Sequence, residues 1–224
     1  MGVLLMLMTI GGLAAAAILL VFAFVSDRSW LKKFVLGGVA IWFLFYGVLL
    51  LVMSLTSRET NLGNNEPKEF CGFYLDCHMH TEVTGVRTAK NIGDKTANGE
   101  FYIVNLKVFS DARNPAIALR LLKPQAVVMD ENGATYARND AAEQLLPTAN
   151  LNLGADVKND ETIEKEIVFD LPEGIKNPRL DIREGYGVDH VIEAVLIGDE
   201  DSILHKRIYF KLLSEPEAVA TWFR

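Results

Sequence analysis

The sequence predicts a two-part protein: two membrane-spanning helices first, then an all-β antiparallel domain. Three observations predict it. Residues 1–26 and residues 34–57 contain no charged side chain, and Asp27, Arg28, Lys32 and Lys33 separate the two runs. Each run exceeds the roughly 20 residues that a helix needs to cross about 30 Å of hydrocarbon. Beyond Arg58 the apolar pattern shifts to a period of two, punctuated by turn residues, as in a half-buried antiparallel sheet.

The helical hairpin comes first, over residues 1–57, with spans at about 3–25 and 34–55. A cleaved signal peptide would open on a positive segment and hold a shorter apolar core. Here no Lys or Arg precedes the apolar run. The connector, residues 26–33, carries three basic side chains next to the helix ends, which marks it as cytoplasmic. The N-terminus and everything after Ser57 are then extracytoplasmic, in the bacterial case on the outer side of the inner membrane. Trp30 falls where an interfacial anchor is expected. Neither span contains an ionisable residue, which argues against an ion pathway within these two helices. Gly11-Gly12, Ala14 to Ala17 and Gly37-Gly38 either let the helix backbones approach closely or are simply the small residues common in membrane helices.

Residues 58–69 are polar and turn-rich and read as a linker; residues 70–213 read as the β domain, and 214–224 as a C-terminal tail. The part after Arg58 is long enough to bury one core. The chain holds 22 Lys+Arg and 29 Asp+Glu; setting aside Asp27, Arg28, Lys32 and Lys33 leaves 19 against 28, near −9. That balance argues against nucleic acid as a partner, since phosphates demand a basic footprint. It also disfavours electrostatic adhesion to anionic lipid. Membrane lipid is met through the hairpin instead, and a membrane or periplasmic protein is the expected partner.

Strands are expected at 81–86, 101–109, 126–129, 162–171, 179–183, 191–197 and 206–212. Val104, Leu106 and Val108 share one face opposite Asn105 and Lys107, and Ile167, Phe169 and Leu171 share one face opposite Glu166, Val168 and Asp170. Asp130-Glu131-Asn132-Gly133 is a turn between two strands, and 140–146 is a candidate short helix. Short strands separated by turns indicate a sandwich or barrel. The order of a strand ending in Val86, then the run from Gly99 to Val108, then Val127 to Gly133 with Tyr136, then Ile167 to Pro172, resembles a bacterial family of immunoglobulin-like domains of unknown function found in lipoproteins and membrane-anchored surface proteins. The resemblance covers roughly residues 82–212. It implies an immunoglobulin-like antiparallel sandwich, with no catalytic residues to carry over, and members usually hang from a lipid or a single span rather than two.

The densest chemistry lies in residues 70–80, which hold both cysteines and two of the four histidines. One reading is a disulfide between Cys71 and Cys77, which an oxidising compartment allows. Six residues of straight strand span roughly 20 Å, while bridged Cα atoms lie about 4.4–6.8 Å apart, so the chain must fold back, with Gly72 or Asp76 supplying the bend. The other reading is a copper or zinc site using Cys71, Cys77, His78 and His80, donors that suit those metals. On a strand His78 and His80 share a face while Cys77 and Met79 share the opposite one, so the four encircle one ion only if the strand kinks. His190 and His205 stand alone; Gly198 to Ser202 is an acidic hairpin tip, Gly185-Tyr186-Gly187 a flexible turn, and residues 156–161 a charged loop. Nothing forms a catalytic set, so an interaction domain is expected rather than an enzyme, with no cofactor.

Overall fold

The computed structural model describes residues 2–71, 77–185 and 189–213. The chain divides into two units: Met1–Glu59 with Val188–Arg207, and Thr60–Gly187 with Ile208–Arg224.

In the first unit the uncharged runs form α1, Gly2–Val25, and α2, Ser29–Thr56. At 1.5 Å per residue they are about 36 and 42 Å long, and both are long and apolar enough to cross a membrane. They turn at Asp27, whose backbone is left-handed (φ 47°) and whose carboxylate pairs with Lys32 at 3.2 Å. Trp42 Nε1 donates to Thr9 Oγ1 (3.0 Å) across the pair. The glycines are not the close contact between the helices: a Cβ on Gly11, Gly12, Gly37 or Gly38 would meet nothing within 4 Å. Large apolar side chains point outward along both helices, among them Ile18, Phe24, Phe34, Ile41 and Leu44. Residues 189–207 belong with this hairpin. They begin as α4, Asp189–Glu193, where a strand over 191–197 is expected from the sequence. A short unbroken apolar run does not distinguish helix from strand, and here Leu196 and Ile197 are buried within the helical unit.

The second unit is mostly β. One sheet is antiparallel, in the order β2-β3-β4-β7, from Lys68–Phe70, Met79–Ile92, Lys95–Ser110 and Thr162–Leu171. The other runs β1-β9-β8-β5-β6, from Thr60–Leu62, Ile208–Lys211, Arg179–Arg183, Gln125–Met129 and Thr135–Ala137; its β1–β9 pair is parallel. Residues 58–69 therefore contribute β1 and β2 rather than serving only as linker; three-residue strands are too short to show alternation. Val104, Leu106, Val108, Ile167, Phe169 and Leu171 meet Val128, Leu180, Ile182 and Phe210 in one buried cluster shared by the two sheets.

The first sheet is covered on its other face too. Phe101, Ile103 and Val168 pack there against Ala142 and Leu146. Those two come from α3, Asp140–Glu143, and the turns after it, capped by Asn139 Oδ1 accepting from Ala142 N–H (3.1 Å). Val168, assigned from the alternation to a polar face, is buried for this reason. The tip of the β3–β4 hairpin turns at Gly93 (φ 57°), the left-handed conformation that glycine adopts without a Cβ clash.

Candidate functional site

Residue chemistry concentrates where β2, the start of β3 and the end of β4 meet. Cys71 and Cys77 are joined in a disulfide, with Cα atoms 3.9 Å apart, so the chain folds back between them. The residues of the bend itself, 72–76, lie outside the described residues. Next to the bridge, His78 Nδ1 lies 2.6 Å from Asp111 Oδ1, and His80 Nε2 lies 3.1 Å from the same oxygen. The i, i+2 spacing thus brings both imidazoles to one side of the strand, and Met79 faces the opposite way into the core. Backbone pairing fixes the junction: Asp111 N–H donates to His78 C=O (3.1 Å), one step beyond the Met79–Ser110 pair.

Packing holds His80 almost fully buried. Its ring stacks on Phe109 with centroids 5.0 Å apart and planes at 19°, and its Nδ1 has no hydrogen-bond partner among the described residues. Lys107 Nζ sits 4.8 Å from the Phe109 ring centroid and 2.9 Å from Glu82 Oε1, extending the row along the sheet. Asp111 itself is more than half exposed. The imidazoles beside it, His80 first and His78 second, hold its carboxyl below the usual carboxylate range. Chemically, the arrangement is an anionic pin between two histidines beside a covalent loop closure. The donor set of Cys71, Cys77, His78 and His80 is not assembled as thiolates and imidazoles, because both sulfurs are in the bridge. Among the described residues no group of three or more His, Cys, Asp or Glu is arranged to hold a metal ion.

Other residues singled out by sequence lie apart from this cluster. His205 Nδ1 rests 2.8 Å from the carbonyl of Lys206. The His190 side chain, Tyr186-Gly187 and residues 214–224 lie outside what is described. The acidic tip closes on itself, with Asp201 N–H donating to Asp199 Oδ1 (2.9 Å). An open groove of about 920 Å³ borders Asn98, Tyr136, Arg138, Asp140, Asp170 and Glu173. Its Asp170 is occupied by the turn it stabilises, accepting from Asn98 N–H and Gly99 N–H at 3.0 Å each.

Two buried polar arrangements escape sequence reasoning. Lys68 is almost fully buried on β2 and donates to Ile182 C=O (2.7 Å) and Ile208 C=O (3.3 Å), tying one sheet to the other. Along β7, the outer strand of its sheet, Glu143 Oε1 accepts from Arg138 Nε (2.8 Å) and from Val168 N–H (3.1 Å). Beside it Glu166 N–H donates to Thr148 Oγ1 (3.0 Å), and buried Lys165 donates to the carbonyls of Thr148 (3.3 Å) and Ala149 (3.2 Å). Burial pushes the Lys165 ammonium below its ordinary value, while the bond from Glu143 pushes Arg138 up. Glu143 and Thr148 thus occupy the β7 edge amides of Val168 and Glu166, which would otherwise template pairing with another chain.

The chain matches no protein-family model and no curated protein. Among solved structures, a secreted protein of Mycobacterium tuberculosis is similar at 12% identity and a TM-score of 0.35, over 58% of this chain and 98% of its own. A conserved hypothetical protein of Bacillus anthracis is similar at 14% identity and a TM-score of 0.35, over 53% of this chain and 89% of its own.

Proposed function

We propose that this chain is a membrane-anchored protein that displays its β unit, an immunoglobulin-like sandwich, outside the bacterial cytoplasmic membrane as an interaction domain, acting as an accessory or assembly subunit of a membrane complex. The observation that carries the reading is the hairpin. Its two helices hold apolar side chains outward along their whole length, an arrangement costly in water and suited to hydrocarbon. The basic connector supports the orientation, because cytoplasmic loops collect Lys and Arg. The Cys71–Cys77 bridge agrees with an oxidising compartment. Two largely antiparallel sheets sharing one core support the sandwich.

Cross-linking in intact membranes of cells expressing the chain, followed by purification in mild detergent, tests the role. The expected result is a discrete, stoichiometric adduct between the β unit and another membrane or exported protein, in the fraction that resists alkaline carbonate. A chain that stays monomeric through cross-linking under several conditions contradicts the interaction role; release by carbonate contradicts the anchor.

A further inference from the structure

The segment between β8 and β9 does more than connect strands. Residues 189–207 run beside α2 and are fastened to it at three heights. Tyr46 Oη donates to Val195 C=O (2.8 Å), Ser54 Oγ lies 3.4 Å from Ser202 Oγ, and Lys206 N–H donates to Ser57 Oγ (2.8 Å). Within the segment, Ile203 N–H donates to Ala194 C=O (3.0 Å), closing it into a compact loop. The α1 end is fitted to the same loop: a Cβ on Gly2 would come 2.1 Å from Ile197 C=O.

These contacts set the depth of the loop. Tyr46 precedes Thr56 by ten residues, so about 15 Å of helix axis separates them. With the inner boundary of the hydrocarbon at Phe34, the outer one falls about 20 residues later, near Ser54, and Tyr46 lies about 12 Å inside it. The loop holds Val191, Val195, Ile203 and Leu204 exposed, 42–72% accessible, while Leu196 and Ile197 are buried. Four exposed aliphatic side chains on a loop fastened to α2 between Tyr46 and Ser57 suit the outer part of a bilayer.

We propose that residues 189–207 form an interfacial membrane-binding element, which inserts Val191, Val195, Ile203 and Leu204 into the outer leaflet beside the hairpin. The occupant of this surface is lipid because Val195 is fastened to Tyr46, inside the span that the anchor places in hydrocarbon. Lys206 and Arg207 follow at the level where α2 ends, where lipid phosphates lie. The inference rests on the membrane anchor proposed above.

The test uses the full chain in nanodiscs of phosphatidylcholine and phosphatidylglycerol. Val195→Cys, Ile203→Cys, Phe43→Cys and Asn132→Cys are each labelled with a maleimide nitroxide, leaving the native disulfide intact, and collision with oxygen is compared with collision with a water-soluble nickel chelate. The expected result is an oxygen-to-nickel ratio at 195 and 203 several-fold above that at 132, with 43 deeper still. If 43 reads deep while 195 and 203 match 132, this inference fails and the anchor stands. If 43 also reads aqueous, the anchor fails with it. Labels at 195 and 203 shielded from both reagents, as under a second copy of the chain, also overturn the proposal.

Discussion

The two units bury opposite things. In the β unit Phe101, Phe169 and Phe210 are buried, and the exposed positions are mostly polar. In the helical unit Phe22, Phe24, Phe34, Phe43 and Phe45 are exposed, and a hydroxyl, Ser54, is buried. The same side chain thus has opposite placements in one chain. Burial follows the solvent a segment is built for: apolar surface is removed from water in one unit and, on the anchor proposed above, offered to hydrocarbon in the other. The bonds differ in the same sense. Sheets hold the β unit together, whereas the helices are joined by isolated side-chain bonds such as Trp42 to Thr9.

The largest test of that contrast compares two phenylalanines. Phe169→Ala should cost the β unit roughly 3–5 kcal/mol, read as the shift of its denaturant unfolding in detergent-solubilised full chain. Phe43→Ala should leave that transition unmoved; equal effects would break the comparison. Next comes Glu143→Gln, which removes the negative charge paired with Arg138 on a covered strand edge. The expected loss is roughly 2–3 kcal/mol in the same assay, below the 3–5 of a fully buried pair because Arg138 is partly exposed. Reducing the Cys71–Cys77 bridge removes a small loop closure and should cost about 2.4 kcal/mol in the chain-entropy model, measured with and without reductant. Trp42→Phe removes the helix-to-helix bond, and its cost in lipid should be near 0.6 kcal/mol, seen as a modest gain in hairpin mobility with no change in the β unit.

The smallest effect is local and depends on pH. The Asp111 carboxyl is held below its ordinary value of 3.8, so the unfolded chain takes up the proton first as pH falls. Its stabilisation is therefore present above about pH 4 and lost as pH drops through the lowered folded value. Hydrogen exchange at the Asp111 amide should accelerate relative to its intrinsic rate only in that acid window, and Asp111→Asn should abolish the dependence.

The two long apolar helices are legible because charge is absent over two long stretches, and β7 and β8 are legible because alternation runs through Thr162–Leu171 and Arg179–Arg183. The partner of the two histidines is not. Counting outward from the Ile92–Lys95 pair without irregularities sets His78 opposite Phe109; two register shifts, at Val83/Gly85 and Ala89/Asn91, bring Asp111 there instead. Lys68 reads as a linker lysine, since its backbone acceptors lie more than a hundred residues away. Residues 191–197 read as a strand because an apolar run does not reveal whether it faces a sheet or a helical hairpin.

The central claim is that α1 and α2 cross a membrane and carry the β unit to its outer side. Asn132→Cys, in the exposed β5–β6 turn, can be treated in intact spheroplasts with a membrane-impermeant maleimide, alongside Ser29→Cys within the basic connector. The account predicts that 132 is labelled before lysis and 29 only after it. Labelling of 29 in intact cells with 132 protected until lysis would contradict it.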